Sequence, residues 1–124
     1  MRPIKFRAKE KETNMWVYGQ LYNYGIKDDI ESCAIIDEKF TVHSIYSDSI
    51  QQFTGLKDKE GKDIYEGDIL YNSNMNEGYV VVYQEARFVV YDMNSHVLVT
   101  SLCGVNKNIS IAGNNYDLQV RYVY

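Results

Sequence analysis

The sequence is poor in the residues that build most active centres and metal sites. Its 124 residues include two cysteines, two histidines, one tryptophan and one proline. Cys33 and Cys103 have no second cysteine or histidine at ligand spacing, and neither do His43 and His96, so zinc and paired-thiol redox chemistry are not expected. No elbow motif surrounds a serine or cysteine, so nucleophilic catalysis is not expected either. No run approaches the roughly 18 apolar residues of a membrane helix. The opening Met1-Arg2-Pro3-Ile4-Lys5-Phe6-Arg7 lacks the apolar core of a leader. These absences predict a cytoplasmic protein with buried free thiols, no membrane partner, no cofactor and no enzymatic activity. No stretch keeps helical apolar spacing beyond two turns, which excludes an α-helical core.

What is abundant is tyrosine. There are 12, with four phenylalanines and the single tryptophan. Tyrosine suits strands and half-buried surfaces, where the ring packs and the hydroxyl stays wet. Charge is unevenly spread. Residues 1–27 hold six basic and two acidic side chains, a balance of +4, and residues 28–68 hold eleven acids and four lysines, a balance of −7. The whole chain carries −4, which argues mildly against a nucleic-acid protein.

Period-two alternation dominates. Ile4, Phe6 and Ala8 share one face of a first strand. Trp16, Tyr18, Gln20, Tyr22 and Tyr24 share one face of a second, with Val17, Gly19, Leu21 and Asn23 on the other. Residues 33–36 and 40–46 read as two more strands, with Phe40, Val42 and Ser44 alternating against Thr41, His43 and Ile45. Further strands fall at 69–71, 79–83, 88–91, 97–102 and 109–112, separated by turn-forming residues. That spacing predicts a small barrel or rolled sheet.

Between the two halves lies Thr54-Gly55-Leu56-Lys57-Asp58-Lys59-Glu60-Gly61-Lys62-Asp63-Ile64-Tyr65-Glu66-Gly67-Asp68, with three glycines at spacing six and one apolar pair, Ile64-Tyr65. This is the pattern of a shaped connection pinned to a core. Asp58, Asp63, Glu66 and Asp68 are oxygen ligands a hard cation would take, but Lys57, Lys59 and Lys62 interrupt them, and no metal is expected.

This stretch, extended back to Gln52-Phe53, resembles the signature of the YopX family of phage and prophage proteins. The opening Ile4-Lys5-Phe6-Arg7-Ala8, the pairs Met15-Trp16 and Tyr18-Gly19, and Ile111-Ala112-Gly113-Asn114 are similar to the family's flanking motifs. Asn115 and Ser110 depart from its closing pattern. The resemblance implies a mainly β protein of a mobile element with no established activity, and it supplies no catalytic residues.

The expected architecture is therefore an all-β single domain, 1–124, of short antiparallel strands. Strands in 1–53 pack on an SH3-like small barrel in 69–124, joined by 54–68. Thr54, Gly55, Leu56, Asp58, Gly61, Ile64, Tyr65, Glu66, Gly67 and Asp68 form the structural signature. Trp16, Tyr18, Tyr22 and Tyr24, with Lys5 and Arg7, form either core or an interaction surface. The leading functional expectation is a non-enzymatic binding or assembly module that self-associates as a homo-oligomer or meets a phage or host protein. The alternative is a nucleic-acid-binding small barrel whose tyrosines stack on bases while Lys5, Arg7 and Lys27 meet phosphates.

Overall fold

Alternating apolar and polar residues, punctuated by short polar turns, fold here into strands alone. The computed structural model describes residues 4–24, 33–72, 77–102 and 108–118. Its strands, in chain order, are β1 (Phe6–Lys9), β2 (Trp16–Asn23), β3 (Cys33–Ile36), β4 (Val42–Ser44), β5 (Gln51–Lys57), β6 (Asp63–Tyr65), β7 (Asp68–Asn72), β8 (Glu77–Gln84), β9 (Arg87–Asp92), β10 (Leu98–Ser101) and β11 (Ser110–Asn114). A 3-10 turn, Ser47–Ser49, precedes β5. No α-helix occurs among the described residues, and none is long and apolar enough to cross a membrane.

The chain divides into two compact units, Met1–Phe53 and Thr54–Tyr124. In the first, strands lie in the order β4-β3-β2-β1, with the start of β5 beside β1, and these neighbours pair antiparallel. Register explains the core. Ala8 faces Val17, and Leu21 faces Ile35. Ala8, Cys33, Ile35 and Ile45 are buried, with Phe6, Val17, Leu21 and Ile50 packed against them. Cys33 is a buried free thiol; Cys103 lies outside the described residues.

One residue leaves the expected strand. Phe40 sits in the β3–β4 turn at φ 65, in the left-handed region, and is 87% exposed. Alternation alone had placed it in line with Val42 and Ser44. The Asp37 side chain wins locally, because its Oδ1 accepts the Lys39 and Thr41 amides at 2.9 and 3.0 Å and draws the chain into a tight turn.

In the second unit, the end of β5 is hydrogen-bonded to β6, and a five-stranded antiparallel sheet runs β10-β9-β8-β7-β11. Its core is Ile64, Leu70, Val81, Val90, Leu102 and Ile109. Each such buried aliphatic contributes roughly 1.5–3 kcal/mol. The strands of this unit do not close into the expected SH3-like barrel. No pairing joins β10 to β11 among the described residues, so the sheet stays open. The Glu85–Ala86 turn of the β8–β9 hairpin takes positive φ at both residues, 52 and 61, matching the twist of the strands it joins. At the other end, Gly113 and Asn114 extend β11 rather than terminate it, because Gly113 and Asn114 still pair with Ile69 and Asp68 across a register shift.

Candidate functional site

The alternation of β2 decides what its sheet shows to solvent. Val17 and Leu21 pack against the core of the first unit. Tyr18, Tyr22 and Tyr24 turn the other way and are 49%, 51% and 57% exposed. The Tyr22 and Tyr24 rings stack with centroids 6.4 Å apart. Core packing, one reading of this stripe, is thereby excluded for the three tyrosines within their own unit.

Register brings cations to the same face, since Arg7 pairs with Tyr18 and Lys9 with Trp16. The Arg7 guanidinium lies 4.7 Å from the Trp16 ring and the Lys9 ammonium 5.0 Å from it. Arg7 is buried, and its Nε and Nη2 both donate to Gln51 Oε1, at 2.9 and 2.7 Å. The Lys5 ammonium sits 4.6 Å over the Phe53 ring. These cations are thus held by rings and an amide, which lowers their availability to phosphates. Lys27 falls outside the described residues.

A cleft of about 660 Å³ opens beside Trp16 and Tyr18, walled by Lys5, Gln20, Ile36 and Lys39 and reaching Asp37, Glu38 and His43. That is the size of small-ligand and anchor-residue pockets. Gly19 permits this junction. A Cβ there would lie 2.1 Å from the Ile36 carbonyl oxygen, so only glycine lets β2 approach the end of β3 so closely.

Next to the cleft, His43 is clamped between two carboxylates. Its Nδ1 bonds Glu10 Oε2, and its Nε2 lies 2.8 Å from Asp37 Oδ2. Glu10 follows β1, Asp37 follows β3, and His43 lies on β4, so one imidazole ties three chain segments. The hydrogen bonds to Asp37 and then Glu10 raise the His43 pKa above its ordinary value. The same His43 contact, first among the causes, lowers the pKa of both Glu10 and Asp37.

The stability contributed by His43 is therefore complete below its unfolded pKa of about 6.5 and is lost as pH rises through the higher folded value. That of the two carboxylates is complete above their unfolded values, near 4, and is lost as pH falls through the lower folded ones. Thermal melts are expected to be flat between about pH 5 and 6.5 and to fall at higher pH. His43→Gln should abolish the fall above neutrality. An unchanged alkaline slope in that variant would show that the clamp does not govern it.

In the second unit, the signature residues are spent on the backbone. Thr54 Oγ1 donates to the Ile64 carbonyl at 2.7 Å and accepts the Leu56 amide at 3.2 Å. Asp58 Oδ1 accepts the Glu60 and Lys62 amides, both at 2.9 Å, and its Oδ2 accepts the Ile111 amide at 3.1 Å. Burial opposes ionisation of Asp58, but these donors, Lys62 foremost, outweigh it and lower its pKa. Asp68, almost fully buried, accepts the Tyr65 amide at 2.8 Å. Asp63 pairs with Lys57 at 2.7 Å. Glu66 and Gly67 make the turn from β6 to β7, and Gly61 and Gly67 take φ 84 and 83, where a side chain would be strained. Gly55 is also left-handed, at φ 89. Among the described residues no group of histidine, cysteine or acidic side chains is arranged to hold a metal ion.

Sequence reasoning therefore located the aromatic face but missed the His43 clamp, whose members are remote in sequence. It also missed Phe40, for which the signal was present: an Asp-Glu-Lys run immediately before it, competent to turn the chain.

Residues 5–119 match the model of the family described as YopX protein. The crystal structure of protein EF1440 from Enterococcus faecalis is similar in fold, with a TM-score of 0.58 at 24% identity, covering 96% of this chain and 97% of that one. No curated protein matches the chain.

Proposed function

The chain belongs to the YopX protein family, and from that premise we propose that it is a non-enzymatic binding or assembly module of phage or prophage origin, self-associating through the outer face of its first sheet. The observation that carries this reading is the row of exposed Tyr18, Tyr22 and Tyr24 beside the cleft at Trp16. Aromatic side chains of this kind supply most of the energy of protein interfaces. They bring large contact area at little cost in side-chain entropy. A sheet that only needed solubility would place charged residues there.

The binding experiment is direct. The paired variant Tyr18→Ser, Tyr22→Ser removes two rings from solvent and no core contact, so its melting temperature should stay within a few degrees of the parent. Its self-association, followed by light scattering during size exclusion, should weaken about a hundredfold if each ring contributes roughly 1–2 kcal/mol. A parent chain that stays monomeric at high concentration, or a variant that associates like the parent, overturns the reading. Salt-sensitive binding of single-stranded DNA by the parent, lost in the same variant, would move the conclusion to the nucleic-acid alternative.

A further inference from the structure

We infer that Phe40 is the knob of a two-fold homodimer and that it seats in the cleft beside Trp16 on a second copy of the chain. This rests on the self-association proposed above and names the contact that makes it.

Three observations point there. First, Phe40 is the most exposed of the large apolar side chains among the described residues, at 87%. Second, it holds that place in a left-handed backbone conformation, φ 65, which a bulky residue adopts only under strain. Glycine or asparagine at this turn position would relieve both penalties, so phenylalanine here is not explained by the stability of its own unit. Third, the turn that carries it is rigid. The Asp37 amide donates to the Thr41 carbonyl at 3.0 Å, and the Phe40 amide donates to the Asp37 carbonyl at 3.0 Å. The Asp37 carboxylate holds the Lys39 and Thr41 amides as well as His43. A ring fixed on a rigid tip loses little entropy on docking.

The occupant follows from where the receptor lies. Glu38 and Lys39, the two residues before Phe40, line the cleft, while Phe40 itself is not among its walls. Knob and receptor therefore adjoin on one surface. A two-fold axis between two such surfaces satisfies both at once and closes the assembly. Charge agrees. The cleft is bordered by Lys5 and Lys39 and by Asp37 and Glu38, a rim of both signs on which a two-fold exchange can set Glu38 of one copy against a lysine of the other. The walls Trp16, Tyr18 and Ile36 supply the apolar and aromatic contacts that a phenyl ring prefers.

Trp16 is the only tryptophan in the chain, and it lines the cleft, so its fluorescence reports whether the cleft is filled. In the parent, dilution should shift the emission to longer wavelength as dimers separate and the indole becomes wet. In Phe40→Gly the emission should be red-shifted at every concentration, and the dimer dissociation constant should rise at least about tenfold. The same substitution should raise the melting temperature of the monomer, because it removes left-handed strain from a non-glycine residue. A merely structural Phe40 predicts neither spectral effect. If Phe40→Gly dimerises like the parent while Tyr18→Ser, Tyr22→Ser does not, the knob is refuted and the broader reading survives. If Phe40→Gly is monomeric and the tyrosine pair still dimerises, the knob stands and the tyrosine face is refuted as the driving surface. A parent that never associates refutes both.

Discussion

Gly19→Ala is expected to cost the first unit at least about 3 kcal/mol, because overpacking against fixed atoms is among the few single changes that reach this size. The added Cβ would meet the Ile36 carbonyl oxygen at 2.1 Å, the Ile36 carbonyl carbon at 2.8 Å and Asp37 Cα at 3.0 Å. All three are backbone atoms, so no rotamer change relieves the contact. Either β2 and β3 separate or the chain between Ile36 and Asp37 moves, and Asp37 is the residue that holds both the Phe40 turn and His43. The variant should therefore lose about 10 °C or more in melting temperature. It should also lose the alkaline fall assigned to His43. Gly61→Ala is the matched control. Nothing lies within 4 Å of a Cβ there, so only its left-handed φ of 84 opposes alanine, and about 1 kcal/mol is expected. Equal losses from the two substitutions would mean that backbone preference, not close approach, makes Gly19 necessary.

Asp58→Ala should be the most damaging side-chain truncation of the signature segment, at about 2–4 kcal/mol, since three amides lose a charged acceptor together. Two of those amides, Glu60 and Lys62, lie in an exposed turn where water partly replaces the carboxylate. The third, Ile111, belongs to β11, 53 residues further along the chain. Asp58 thus ties the β5–β6 hairpin to an edge of the five-stranded sheet. The Lys59 amide donates to the Ile109 carbonyl at 3.0 Å, and Ser110 Oγ donates to Glu60 Oε1 at 3.1 Å, along the same seam. Hydrogen exchange is the appropriate measurement. The Ile111 and Lys62 amides should lose protection in Asp58→Ala, with amides of β1 to β3 unaffected. Asp58→Asn keeps an acceptor oxygen but not the charge and should fall between the parent and alanine. Because the folded pKa of Asp58 is lowered, its contribution is present above the unfolded value, near 4, and disappears as pH drops through the folded one. Loss of protection spread evenly over both units would contradict a local tie.

The signature segment shows how far residue pattern reaches. Its glycines and its Ile64-Tyr65 pair announced a shaped connection, and the residues do form a hairpin and a tight turn with Ile64 in the core of the second unit. The pattern did not reveal that β6 is itself a strand, because three residues are too short for alternation to register. Nor did it reveal what its acids hold. A carboxylate that accepts amides and one that awaits a cation look identical in sequence, and only the position of Ile111 relative to Asp58 distinguishes them. The open edges of the sheet were equally hidden. Strand spacing predicts rolled sheets, but closure depends on whether β10 and β11 meet, which no local signal controls.

By itself the sequence determined that this chain is all β, that β2 has an apolar face and a tyrosine face, and that a glycine-punctuated, shaped connection lies in its middle. These are local matters, set by a two-residue period and by the few residue types that turn a chain. Only the tertiary structure decided that the tyrosines face solvent, that an aspartate bends the chain so Phe40 stands out in a strained turn, and that His43 finds two carboxylates. Those outcomes depend on segments far apart in the chain coming together, and alternation fixes that two faces differ without fixing which one becomes covered.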